Sequence, residues 1–81
     1  MTTKVRAKRP GEVGPLLRDL RRAADLTQAD LADRAQVGRQ WLNAFERGDK
    51  ASAPLDMVMR VAAALDARLV LAHSTKAGRR D

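Results

Sequence analysis

The stretch from Thr27 to Gly48, TQADLADRAQVGRQWLNAFERG, constrains the chain more than any other, because it sets two short helical periodicities on either side of a three-residue turn. In its first half Leu31, Ala32 and Ala35 recur at helical spacing, and Gln28, Asp33 and Arg34 fall outside them. Thr27 is a good cap for that helix: its hydroxyl can accept from the Asp30 amide, and the Asp30 carboxylate lies in the positive first turn. Ala32 stands where the two helices cross, a place at which a side chain larger than methyl would push them apart. After the turn at Gln36, Val37 and Gly38, the second half places Leu42 and Phe45 on an inward face with Val37 just ahead. Arg39, Gln40, Asn43, Ala44 and Arg47 fall on the opposite face, an acid-free run rich in hydrogen-bonding groups.

The rest of the chain supplies what this pair packs against. A helix starting between Gly11 and Pro15 carries Val13, Leu16, Leu17, Leu20 and Ala24 on one face and Arg18, Asp19, Arg21 and Arg22 elsewhere. It ends at Asp25, where glycine or asparagine would fit more comfortably, and Leu26 returns to the core. A further helix, capped by Ser52 or Ala53 with Pro54 near its first turn, continues through Leu55, Val58, Met59, Ala62 and Leu65, its methionines filling gaps in the core. The period then changes, and residues 67–72 (ARLVLA) read as a short strand. A strand needs a partner for its amides and carbonyls, and no second strand is evident. The economical partner is therefore the same strand of another copy across a two-fold axis, with Leu69, Val70 and Leu71 at the dimer contact. The expected organisation is a disordered basic arm at 1–11, a helical domain at 12–66, a dimerisation strand at 67–72 and a disordered basic tail at 73–81.

Composition sharpens the function classes. An 81-residue chain with 44% hydrophobic residues makes one small domain, which buries only about 60% of its unfolded surface, and self-association is a common remedy. The absence of cysteine excludes disulfides and thiolate chemistry. No apolar run approaches the roughly 20 residues needed to cross a bilayer, so no membrane partner and a cytoplasmic location are expected. The net charge of +6 resides in the ends: residues 1–11 contribute +4 and residues 73–81 contribute +2, whereas residues 12–72 hold nine basic and nine acidic side chains. The basic arm is either a solvated tail or a segment that enters a minor groove. Charge alone gives a general attraction to phosphate, and any specific recognition has to come from the arrangement of the body. One histidine, His73, two glutamates and no glycine-rich phosphate loop leave no acid-base or nucleophile constellation, so no enzyme activity, metal or cofactor is expected.

The stretch resembles the helix-turn-helix of the Cro-repressor-like, or XRE, family of DNA-binding regulators. The resemblance is carried by Gln28 opening the second helix, Ala32 at the crossing, Val37 in the turn, Leu42 and Phe45 as inward anchors, and Glu46-Arg47-Gly48 at the end of the third helix. With LLRDLRR before it and APLDMVMRVAAALDARLVL after it, the chain from Gly14 to Ala72 is more narrowly similar to HipB-type regulators, the antitoxin side of some toxin-antitoxin pairs. The family usually has glycine at the place of Gln36, where the backbone is left-handed, and a serine or threonine cap at the place of Gly38. Glutamine there should cost about 1 kcal/mol, and the glycine cap forfeits a side-chain hydrogen bond.

The resemblance implies an all-α fold of four to five helices, like that of lambda repressor, with the short C-terminal strand paired across a dimer. It implies a sequence-specific repressor on an inverted-repeat operator in double-stranded DNA, autoregulatory and partnered by a HipA-like kinase toxin. A stand-alone regulator without a toxin, and a protein-binding adaptor using the same helices, remain the alternatives. Arg39, Gln40, Asn43 and Ala44 are the expected base readers: arginine can bind a guanine edge in two places, Gln40 or Asn43 can do likewise with adenine, and Ala44 can touch a thymine methyl. Gln28 is expected at a phosphate by the resemblance, with Arg47, Lys50 and Ser52 gripping the backbone on the other side. The resemblance also aligns Arg21 and Glu46 with an ion pair that joins the first helix to the third. Trp41, beside Phe45, reads as a partly buried core residue.

Overall fold

Caps and the position of apolar side chains account for most of the architecture. The computed structural model describes residues 3–5, 7, 9–50 and 52–70, and orders them as β1 (Thr3–Val5), α1 (Pro10–Ala23), α2 (Gln28–Ala35), α3 (Arg39–Glu46), α4 (Leu55–Ala64) and β2 (Ala67–Leu69). α1 opens on a proline, carries Glu12 in its first turn, and has Arg21 and Arg22 in its last, all of which suit the helix dipole. α2 begins with a full capping box: Thr27 Oγ1 accepts from the Asp30 amide at 3.0 Å, and the Thr27 amide donates to Asp30 Oδ2 at 3.2 Å. Gly38 caps α3 through its backbone alone, and Pro54 itself caps α4 in place of the Ser52 or Ala53 expected.

The four helices bury one core. Leu17, Leu31, Leu42 and Val61 are fully enclosed, and Ala32, Ala35, Phe45, Val58, Ala62 and Ala67 join them. α2 packs on α3 and α4, and α1 packs on α3. That last crossing is unusually close. A Cβ added to Gly14 would lie 1.7 Å from the Phe45 carbonyl oxygen, so only a hydrogen fits between the two backbones. The expectation of a four-helix, all-α domain with a short strand after it therefore holds.

Three expectations need correction. The core face of α4 is formed by Val58, Val61 and Ala62, whereas Leu55 is 67% exposed and Met59 56% exposed. The helix LDMVMRVAAA is apolar on more than one side, so helical spacing alone does not choose the buried face. Ala24, counted with the apolar face of the first helix, is exposed at the cap of α1. The third correction concerns the chain ends. Residues 1–11 are not simply an unstructured arm, because Thr3–Val5 form β1, which pairs in parallel with β2: Thr3 opposite Ala67, Lys4 opposite Arg68, Val5 opposite Leu69. β2 thus finds backbone partners in its own chain, and the argument that it requires a second copy falls away. Leu71 of the expected dimer contact and the tail at 73–81 lie outside the described residues.

Three helices end in residues with left-handed backbones that are not glycine: Asp25 (φ 59°) after α1, Gln36 (φ 58°) after α2 and Asp66 (φ 55°) after α4. Each lets the chain reverse within a residue or two, at a cost that glycine would avoid. Gln36 recovers part of it by donating from Nε2 to the Asp33 carbonyl at 2.7 Å.

Candidate nucleic-acid interface

α2, the turn and α3 form a helix-turn-helix whose inner side is fixed by a buried polar network. Arg21 of α1 forks onto Glu46 of α3, Nε to Oε2 at 2.8 Å and Nη2 to Oε1 at 3.0 Å, and its Nη1 donates to the Leu26 carbonyl at 2.7 Å. Both side chains are almost wholly buried, at 10% and 2% exposed. The two-point geometry and the third bond satisfy charges that would be expensive to bury alone. The pair expected from the resemblance is present, and it ties the end of α3 to α1 and to the segment leading into α2.

Gln28, the first residue of α2, extends this network. Its Nε2 donates to Glu46 Oε1 at 3.0 Å and to Asn43 Oδ1 at 3.2 Å. Both hydrogens of that nitrogen are thus engaged inside the domain, whereas a phosphate contact would need one of them. Nearby, the Asp30 carboxylate is held below its ordinary pKa chiefly by hydrogen bonds from Thr27, with the Arg34 charge adding to the effect. An acid at this helix end competes with a phosphate for the same positive dipole.

The outer side of α3 is open. Arg39 and Gln40 are exposed, and neither has a partner among the described residues. Asn43 and Ala44 are half-buried beside them. Trp41 stacks on Phe45 with ring centroids 4.9 Å apart and planes 10° from parallel, so the flank of α3 is anchored in the core as expected. Past the end of α3, Arg47 donates from Nε to Asp49 Oδ2 at 3.1 Å in a solvent-exposed pair of the kind that contributes little. Lys50 and Ser52 are exposed in the following loop.

One residue with a structural hold on this site was not singled out in the sequence. Arg60 of α4 donates from Nε to the Ala35 carbonyl at 3.1 Å and from Nη2 to the Gln36 carbonyl at 3.4 Å, with Nη1 on Asp56 Oδ2 at 3.2 Å. The four-residue spacing of Asp56 and Arg60 signals an ion pair along one helix, but nothing in that spacing reveals the clamp on the end of α2. Gly14 was missed as well: next to Pro15 it reads as a cap, and its role depends on a carbonyl 31 residues away.

Among the described residues no helix is long and apolar enough to cross a membrane, and no cluster of His, Cys, Asp and Glu suits a metal ion. Comparison with the curated proteins, and with the solved structures, finds no match. A family model described as a helix-turn-helix domain matches residues 12–73, which takes in α1 from its third residue onward, α2 to α4 and β2 and is well over half of the chain, so the chain belongs to the helix-turn-helix domain family.

Proposed function

We propose that this domain reads double-stranded DNA with the outer face of α3, acting as a sequence-specific repressor. The observation that carries the reading is the pairing of an open, hydrogen-bonding face led by Arg39 and Gln40 with a buried network that holds the same helix rigidly from behind. A helix fits the major groove, and its side chains meet base edges whose donor and acceptor patterns differ from pair to pair. Arg39 takes a guanine, Gln40 an adenine and Ala44 a thymine methyl, while Arg47, Lys50 and Ser52 hold phosphates at the end of the helix.

The repressor works as a dimer on an inverted repeat, with two copies of α3 about 34 Å apart or a small multiple of that. What supports a second copy is the apolar surface left uncovered: Leu55 and Met59 on α4, Val70 after β2, and a shallow groove lined by Met59, Ala62, Ala63, Ala67 and Leu69 together with Arg68. Autoregulation as a HipB-like antitoxin with a kinase toxin partner rests on the resemblance alone, and a repressor without a toxin fits the residues equally well.

Selection of bound DNA from a random pool tests the reading. A symmetric enriched motif is expected, and Arg39→Ala should erase the preference at one position of each half-site, a loss of about 1–3 kcal/mol of discrimination. Lys50→Ala should weaken binding evenly and lower the salt slope by about one. No enrichment would favour the protein-binding adaptor. The dimer is tested by light scattering on the double variant Met59→Glu, Val70→Glu, whose sites are exposed; an unchanged dimer mass would remove this surface from the interface.

A further inference from the structure

The buried network does more than brace α3, because it also decides which way round one of the expected base readers faces. An amide side chain presents an oxygen at one corner and a nitrogen at the other, and the two are distinguished by their partners. The Glu46 carboxylate, gripped by the Arg21 fork, offers only acceptors, so the Gln28 atom 3.0 Å from Oε1 has to be its nitrogen. The second hydrogen of that nitrogen is directed at Asn43, 3.2 Å away, where only an oxygen can receive it. A carboxylate in the core thus fixes the polarity of two amides in sequence. Asn43 Oδ1 is turned inward onto Gln28, and Asn43 Nδ2, which has no partner among the described residues, is the group left to offer at the half-exposed surface of α3.

We infer that Gln28 is a specificity-determining positioning residue: by holding Asn43 Oδ1 it makes Asn43 a donor, so that Asn43 selects a keto base, guanine or thymine, over adenine or cytosine. The inference rests on the DNA-reading role of α3. In the major groove guanine shows two adjacent acceptors, N7 and O6, and thymine shows O4; adenine keeps one acceptor, N7, beside an amino group that would set donor against donor, and cytosine shows its amino group alone. Gln40, exposed and without a partner among the described residues, is under no such constraint and can turn its amide to suit adenine. Two amides on one helix face therefore read differently, for a reason lying 15 residues from Asn43 in the chain. The same bond accounts for Gln28 without a phosphate, since both of its donors are in use.

The test is selection from a random DNA pool with four proteins: the unaltered chain, Asn43→Ala, Gln28→Leu and Gln28→Lys. Asn43→Ala identifies the position that Asn43 reads as the one whose preference disappears. In the unaltered chain that position should be guanine or thymine, preferred over adenine by about tenfold, the size of one good contact. Gln28→Leu, which frees the Asn43 oxygen, should admit adenine there and leave the Arg39 position unchanged. Gln28→Lys, whose ammonium can donate to both Glu46 and Asn43, should restore the keto preference, and it decides the matter if the leucine variant does not fold. Adenine or cytosine at that position in the unaltered chain would overturn the inference and leave the DNA-binding reading standing. So would a motif that Asn43→Ala or Gln28→Leu does not alter. No enriched motif with the unaltered chain would overturn both.

Discussion

The two ends of α2 are held by opposite means. At its N-terminus side chains close on one another: Thr27 and Asp30 cap reciprocally, and Gln28 links Asn43 to a Glu46 carboxylate buried under Arg21. At its C-terminus the backbone takes the unusual conformation, with Gln36 left-handed and its neighbouring carbonyls received by Arg60 from α4. At the first end the Thr27–Asp30 cap is open to solvent, but the Arg21–Glu46 pair behind it is buried and its charges depend on each other, so losing one strands the other. The second is open to solvent, its bonds are weakened by water, and its conformation is one that another residue would adopt more easily. Rigidity behind the reading face and adjustability at the turn thus sit on either side of one eight-residue helix.

The comparison breaks most easily at Glu46. Glu46→Ala leaves the Arg21 guanidinium buried without a counter-charge, and urea unfolding should show a loss of about 3–5 kcal/mol, enough to unfold many small domains. A loss under about 1 kcal/mol would mean that water reaches the network, and the two ends would then be alike. Gly14→Ala comes next. Its methyl would collide with the Phe45 backbone, which cannot rotate aside, so α1 and α3 have to separate, at a cost of about 3 kcal/mol. Gly38→Ser meets nothing within 4 Å and supplies a side-chain cap, so it should gain a few tenths of a kcal/mol in the same measurement. Equal effects at the two glycines would contradict the close crossing.

What the sequence made legible follows the reach of each interaction. The Thr27 cap and the inward faces of α2 and α3 depend on residues three or four apart, and they stand where periodicity puts them. The left-handed Gln36 and the Arg21–Glu46 pair also stand as expected, though both came through the resemblance; no local rule joins residues 25 apart. Hidden features are those decided at longer range or by a near tie. β1 is three residues, TKV, set among basic side chains, too short to show an alternating pattern. α4 has apolar candidates on two faces, and packing of the whole helix against the rest of the domain buries Val61 and leaves Leu55 and Met59 exposed. At the candidate site, periodicity placed Arg39, Gln40, Asn43 and Ala44 along one side of α3, but the bond that orients Asn43 comes from another helix and left no trace in the spacing.

At the C-terminal end of α2, Gln36→Gly should stabilise the domain by up to about 1 kcal/mol in urea unfolding, because glycine adopts the left-handed backbone without strain. The gain is reduced by the lost side-chain bond to Asp33, and Arg60, which holds only backbone carbonyls here, keeps its contacts. A loss of stability instead would show that the exposed bond outweighs the strain.

The smallest effect is at the opposite end, and it depends on pH. Thr27 bonds hold the Asp30 pKa below its ordinary value, so the folded domain keeps the carboxylate charged more firmly than the unfolded chain does. The stabilisation this provides is complete above the unfolded pKa, begins to fall below about pH 4, and is gone once the pH has dropped through the folded value. Asp30→Asn resembles the protonated acid in shape and lacks the charge. The stability gap between the unaltered chain and Asp30→Asn should therefore be constant from pH 7 to about pH 5 and close on further acidification, as read from paired urea melts across that range. The two proteins differ at this side chain alone, so the difference between their melts isolates it. A gap that stays flat into acid would mean that the cap works by geometry without its charge, and the N-terminal end of α2 would then be held as its C-terminal end is, by where the backbone can go.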